Sequence, residues 1–339
     1  MRALVTGAGG FLGSWLVRRL RAEGHAVRAM VRPGAAEPGL GAEAPGVAAA
    51  GASSSGAASV DVVRGDVTNP DSLPAAVAGC DVVFHLAGLR RATRRQEFLR
   101  VNAEGTRTLL EACLTHAPGL SRFVLAGSLA AAGPSATGRR EEEPLAPVEW
   151  YGESKAEAER ITLGYAARLP VTVARPPRIT GPGDRDNLFF FRIVARGVIV
   201  GVTGAPRPLS FVDVEDCARG FLLLAQRPEA VGQAFFLAHR ERTTLEGLQE
   251  EVAHALGVRT RTVRVPPWLL RGAGSAADVA SRALGRRLPF NRKLSEQVLA
   301  PGWTCDTEKA SRRLGFQART SLAESIERSA RSYREQGWL

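Results

Sequence analysis

The chain has 339 residues, of which 45% are hydrophobic and 23% charged, a balance that fills a sizeable core in one large domain or two and excludes a disordered or fibrous protein. No apolar run of about 18 residues exists, so no membrane-spanning helix is expected, and the first glycines fall at a phosphate-loop spacing rather than before a cleavage site, so the expectation is a cytoplasmic protein. The formal charge of +11 comes from dispersed arginines, which does not make a nucleic-acid stripe, and the scattered Cys80, Cys113, Cys217 and Cys305 suggest neither a disulfide framework nor a metal site.

Arg2 to Thr6 predicts a first strand, and Leu12, Trp15, Leu16 and Leu20 recur on one face of a following helix. Between them stands Thr6-Gly7-Ala8-Gly9-Gly10-Phe11-Leu12-Gly13. Glycines at 7, 10 and 13 serve a tight turn, close approach of backbone to a pyrophosphate, and close packing of helix on strand. The helix start adds N–H groups and a positive dipole end. Thr6, Gly7, Gly10, Phe11, Leu12 and Gly13 are therefore expected to hold a dinucleotide. The second strand, Ala26 to Val31, ends at Arg32, where an NAD site would carry an acid for the ribose hydroxyls. Arginine there can meet a 2′-phosphate, which favours NADP(H) and leaves NAD(H) open. Residues 33–59, rich in Gly, Ala, Pro and Ser, read as a flexible insertion.

Val60 to Arg64 and Asp81 to His85 predict two more strands. Strands alternating with helices make a parallel sheet whose ligands lie off the carboxyl ends. Asp66 with Val67 could reach an adenine there, and Leu86, Ala87 and Gly88 could line the cofactor. His85, flanked by apolar strand residues, reads as structural. A helix beginning near Val101 carries Asn102, and a fifth strand, Arg122 to Ala126, delivers Ser128 at its carboxyl end. A turn serine is the alternative for Ser128.

Tyr151 and Lys155 stand at i and i+4 of the next predicted helix, on one face. An isolated phenol ionises near pH ~10, and a neighbouring cation lowers that value, so the tyrosine becomes usable as a general acid or base. A solvated helix face yields the same pair by chance. Val171 to Ala174 predicts a sixth strand, which runs on into Arg175-Pro176-Pro177. Beyond it, 188–191, 198–200 and 266–270 are apolar enough to wall a hydrophobic ketone, or to be ordinary core. Residues 263–287 form a basic amphipathic stretch that could touch a membrane surface, a pair of helices in the substrate lobe being the plainer reading. Leu322 to Tyr333 predicts a closing amphipathic helix.

Taken together, the glycine turn at 6–13, Asp66, His85-Leu86-Ala87-Gly88, Asn102, Ser128, Tyr151-x-x-x-Lys155 and Arg175-Pro176 resemble, in order and separation, the extended short-chain dehydrogenase/reductases of the NAD-dependent epimerase/dehydratase superfamily. The look is that of the branch with 3β-hydroxysteroid dehydrogenases and dihydroflavonol reductases. The resemblance implies a doubly wound α/β parallel sheet (Rossmann) over 1–177, with 209–240 returning to it, and a smaller α/β substrate lobe from 178–208 and 241–339. It implies Tyr151 as catalytic acid/base, Lys155 on the nicotinamide ribose and lowering the tyrosine's pKa, and Ser128 polarising the substrate oxygen. Asn102 would be a supporting member, and Pro177 a last cofactor contact. A homodimer is usual in such relatives. An Asp-Glu pair after the active-site hydroxyl, as in sugar dehydratases, is replaced here by Leu129-Ala130-Ala131. Two activities stay open: a ketone/alcohol oxidoreductase on an apolar small molecule, and a nucleotide-sugar epimerase with Asn187, Arg192 and Arg207 on a diphosphate.

Overall fold

The computed structural model describes residues 1–34, 59–283 and 292–339. Most of the expected 33–59 insertion, and the end of the 263–287 stretch, lie outside the described residues.

Seven strands form one parallel sheet: β1 (Arg2–Thr6), β2 (Ala26–Val31), β3 (Val60–Arg64), β4 (Val82–His85), β5 (Arg122–Ala126), β7 (Val171–Arg175) and β11 (Ala234–Phe236), in the order β11-β7-β5-β4-β1-β2-β3. The order reverses between β1 and β4, which pair Thr6 with His85. Such a switch point opens a crevice at the strand ends. Both faces of the sheet are covered, so its central strands are apolar throughout, as in Ala3-Leu4-Val5 and Phe123-Val124-Leu125. Trp15, Leu16 and Leu20 of the first helix (Phe11–Ala22) pack on one face beside Phe221 and Leu224. Leu109, Leu110, Cys113 and Ile161 cover the other. Each fully buried Leu or Phe contributes about 1.5–3 kcal/mol of apolar burial, so this two-faced core fixes where the carboxyl ends of the strands project.

A second sheet runs β12 (Arg242–Thr244), β10 (Pro208–Asp213), β14 (Trp303–Cys305), β6 (Ser135–Arg139), with β8 (Arg178–Thr180) on β10. Thus Ser135–Arg139, although early in the chain, joins strands of the later half. A two-stranded parallel pair, β9 (Val198–Val202) with β13 (Arg261–Val265), completes the later lobe. Its core gathers Phe191, Val194, Phe211, Leu248, Val252, Ile326 and Tyr333. Phe191 and Ile199, expected as candidates for a ligand wall, are core residues at 0% and 2% exposure. Trp268 and Leu269 stand exposed on the helix Pro267–Ala283.

The two lobes are stitched where β8 ends. The Trp15 indole donates to the Pro182 carbonyl at 3.1 Å, Thr180 and Ser325 share a hydroxyl hydrogen bond of 2.7 Å, and the Tyr333 hydroxyl donates to the Asp184 carbonyl. Asp213 caps the helix Val214–Gln226 and accepts from Ser325 at 2.6 Å. The closing helix, Leu322–Glu335, is therefore held to the body by polar bonds as well as by its apolar face.

Candidate active site

Gly7, Gly10 and Gly13 stand where β1 turns into the first helix. A Cβ on Gly13 would come within 2.2 Å of the Gly7 carbonyl oxygen, so only glycine lets the helix start this close to the strand. Gly7 itself has φ +69°. The turn thus leaves backbone N–H groups at a helix start with no side chain in front of them, a cradle that fits a pyrophosphate. Arg32 follows β2, exposed, and Asp66 follows β3. Burial pushes the Asp66 carboxyl upward, but the Thr68 N–H and hydroxyl, with Arg32 and Arg100, hold it below its ordinary value. Its Oδ1 accepts both Thr68 bonds at 2.8 Å. An ionised acceptor and a cation therefore flank the far end of the crevice, matching an adenosine with its ribose.

The tyrosine helix spans Trp150–Gly164. It begins where it does because Glu149 caps it, accepting from the Tyr151 and Gly152 N–H groups at 2.7 Å each. Tyr151, Lys155 and Glu159 follow at i, i+4 and i+8, along one face. Glu159 is buried with Arg175 at the end of β7, with Arg175 Nε donating to both carboxylate oxygens at 3.0 and 3.1 Å. That pair locks the helix in rotation and leaves Tyr151 and Lys155 aimed at the ends of β4 and β5.

Lys155 is 6% exposed. Its ammonium donates to the Ala126 carbonyl at 2.7 Å, and burial pulls it down to about 8. A Cβ on Gly88 would lie 3.4 Å from Lys155 Nζ and 2.9 Å from Asn102 Oδ1, which puts the loop after β4 directly against the lysine. Asn102 sits in a widened, π-helical turn, Leu99–Glu104, and its amide grips that loop. It accepts from the Leu89 N–H at 2.7 Å and donates to the Leu89 carbonyl at 2.9 Å and to Ser154 Oγ at 2.8 Å. Fully engaged with protein and 1% exposed, Asn102 positions the loop and helix rather than meeting a substrate.

Ser128 caps the short helix Leu129–Ala132, its Oγ accepting the Ala130 N–H at 3.1 Å. That bond uses a lone pair and leaves the hydroxyl proton free to donate. The Tyr151 phenol stands beside it. Burial raises the phenol above its ordinary value, with Arg90 and the Ser128 hydroxyl the strongest influences pulling it back. The expected lowering of the tyrosine by Lys155 is thus not what dominates here. Burial weakens both partners' charged forms, and the phenol keeps its proton.

His85 bridges Thr6 and Thr106 by its two ring nitrogens at 2.8 and 3.0 Å, and burial takes it to about 3. It is a neutral structural link, tying β4 to β1. Leu86, Ala87 and Gly88 continue β4 over the crevice, and the Ala87 N–H donates to Thr6 Oγ1 at 3.1 Å. Val67 is buried below Gly105. Pro177 lies two residues past the end of β7, and its neighbour Pro176 accepts the Leu129 N–H at 3.0 Å. Of the three residues expected as diphosphate contacts, Arg192 donates to the Trp338 carbonyl at 3.3 Å and Arg207 to the nearby Ala205 carbonyl. Asn187 alone is buried beside the site. The sequence assigned no role to Glu149, Glu159 or Arg178, and marked Arg90 only as part of the cluster Arg90-Arg91 with Arg94-Arg95, an anion contact or a solvated face. The signal for Arg178 was one charge inside the otherwise uncharged run Pro176-Pro177-Arg178-Ile179-Thr180.

The model of the NAD dependent epimerase/dehydratase family matches residues 3–238. Among curated relatives, the ceramide reductase of Caulobacter vibrioides is 29% identical over 99% of this chain and 95% of its own. The 2-alkyl-3-oxoalkanoate reductase of Shewanella oneidensis is 29% identical over 96% of this chain and 84% of its own. Proteins named 3-beta-hydroxysteroid dehydrogenase and putative dihydroflavonol 4-reductase are also among the relatives. Among solved structures, MoeE5 in complex with UDP-glucuronic acid and NAD superposes with TM-score 0.75 and 26% identity, covering 99% of this chain and 100% of that one.

Proposed function

Because the chain belongs to the NAD dependent epimerase/dehydratase family, we propose that it is an NADP(H)-using oxidoreductase that interconverts a ketone and a secondary alcohol on a fairly apolar small molecule. One observation carries this reading: two hydroxyl donors, Ser128 and Tyr151, converge at the carboxyl end of β5 with the Lys155 ammonium behind them. Nicotinamide, when bound, supplies or accepts the hydride. Everything else is work for side chains. Ser128, its Oγ fixed by the Ala130 N–H, donates to the carbonyl oxygen and stabilises charge developing there. Tyr151, kept protonated by burial, gives that oxygen its proton. Lys155 replaces electrostatically what the phenol loses, and its remaining donors suit ribose hydroxyls. The NADP(H) preference rests on Arg32 at the end of β2, with no acid in its place.

Relatives named as reductases of ceramide and of 2-alkyl-3-oxoalkanoate support an apolar ketone as substrate. A nucleotide-sugar epimerase is the second reading, favoured by buried Asn187 and by the likeness to MoeE5. The two differ in cofactor consumption. A reductase consumes added NADPH when given long-chain or cyclic ketones. An epimerase purifies with dinucleotide bound and shows no net change in reduced-cofactor absorbance. Tyr151→Phe abolishes turnover while cofactor affinity stays within about threefold, since a lost proton donor acts only on the chemical step; full activity in that variant refutes the assignment. Arg32→Asp shifts relative affinity from NADP toward NAD by about tenfold or more, in line with one lost charge-assisted bond.

A further inference from the structure

β8 enters the later lobe on Arg178. Its half-buried guanidinium lies over the Phe190 ring at 5.7 Å and donates through Nη1 to Asn187 Oδ1 at 2.6 Å. Among the described residues no carboxylate lies within ion-pair distance of it, while Asp184 and Asp186 act on it electrostatically from farther off. Asp186 pairs with Arg90 and Arg91, and Asp184 Oδ1 accepts the Asp186 N–H at 2.8 Å. Among the described residues the rest of the Arg178 donor fork meets no acceptor. Asn187 is 2% exposed, and its Nδ2 finds no hydrogen-bond partner among the described residues. The amide cannot be flipped to cure this, because its oxygen is fixed by a cation that only donates. A buried donor left unanswered is costly. That deficit lies beside a half-buried guanidinium with donors to spare.

The same corner adjoins the catalytic hydroxyls. The Leu129 N–H bond to the Pro176 carbonyl, at 3.0 Å, joins the root of β8 to the helix that Ser128 caps. Arg90 acts electrostatically on Tyr151 and on Arg178 alike.

We propose that Arg178 and Asn187 form an anion-binding end of the substrate pocket, and that the ketone taken by this protein also bears a carboxylate. This rests on the ketone-reductase reading and narrows it to keto acids. Phe190 covers one face of the guanidinium, so the edge is what remains to receive a ligand. A planar carboxylate accepts from that edge and from the neighbouring amide N–H together. A diphosphate would call for further cations, and Arg90, the nearest in influence, is already paired with Asp186.

Calorimetric titration of the NADP⁺-loaded protein tests the proposal without any hydride transfer, using decanoate, methyl decanoate and UDP as probes. Decanoate should bind about tenfold or more tightly than its ester, as expected for one charge-assisted pair. Arg178→Gln should bring the acid-over-ester ratio to about one, the charge-assisted contribution being gone. Asn187→Asp keeps the side-chain volume and sets a carboxylate on Arg178, so it should remove the preference with an unchanged melting profile. Equal binding of acid and ester by the native protein, or a preference that survives both variants, overturns the site. UDP binding more tightly than decanoate, through the same two residues, overturns the carboxylate in favour of a diphosphate. Failure of every ketone to consume NADPH refutes the reductase reading alone, since the titration reads binding only.

Discussion

Replacing Lys155 by methionine should separate the cost of the site from its use. Burial lowers the lysine from 10.5 to about 8, which corresponds to about 3 kcal/mol of strain at neutral pH. Methionine removes the buried charge but strips the Ala126 carbonyl of its donor, a loss of about 1–3 kcal/mol. Net stability of the variant near pH ~7 should therefore equal or exceed that of the native protein by up to about 2 kcal/mol. The pH dependence is the sharper reading. Between about pH 8 and about pH 10.5 the unfolded chain holds a proton on Lys155 that the folded chain has released, so native stability rises with pH across that window. The methionine variant lacks this rise. Urea unfolding at both ends of the window should show the native protein gaining about 3 kcal/mol on the variant. A stability difference that does not change with pH refutes the buried-cation account, whatever happens to activity.

Glu159→Gln should destabilise the fold by about 3–5 kcal/mol, because it leaves the buried Arg175 guanidinium without its counter-ion; denaturant midpoints check this, and a loss below about 1 kcal/mol would mean the pair is not what fixes the tyrosine helix. His85, held neutral with a folded value of about 3, is protonated first in the unfolded chain. Its contribution is whole above about pH 6.5 and falls away by about 5 kcal/mol as pH drops to about 3. Acid unfolding of His85→Gln should accordingly be shallower than that of the native protein, and identical acid limbs would refute the assignment.

The sheet was legible because its strands are short apolar runs ending in turn residues, from Ala3-Leu4-Val5 to Val171-Thr172-Val173. Spacing likewise exposed Gly7, Gly10, Gly13 and the Tyr151–Lys155 pair, since both depend on local periodicity. Long-range pairing carries no such mark. Ser135–Arg139 reads as a polar loop, yet it pairs with Trp303–Cys305 across about half the chain. The Arg175–Glu159 bond is also silent in sequence, because a strand end and a helix face meet only after folding. The choice between apolar wall and ordinary core stayed open in the sequence for a related reason. Hydrophobicity does not distinguish Phe191, wholly in the core, from Phe190, which faces a guanidinium, or Phe189, 63% exposed.

Three bonds hold the connection that follows β8: the Trp15 indole on Pro182, the Tyr333 hydroxyl on Asp184, and the Thr180–Ser325 hydroxyl pair. They draw the first helix, the last helix and the connection between the sheets into a single knot. Domain closure in this enzyme cannot pivot there without unfastening it. Under the proposed anion site, selectivity then resides in the side chains that the knot presents, those at 178, 187 and 190, and a change of ligand is made by exchanging those few groups on an unmoved frame.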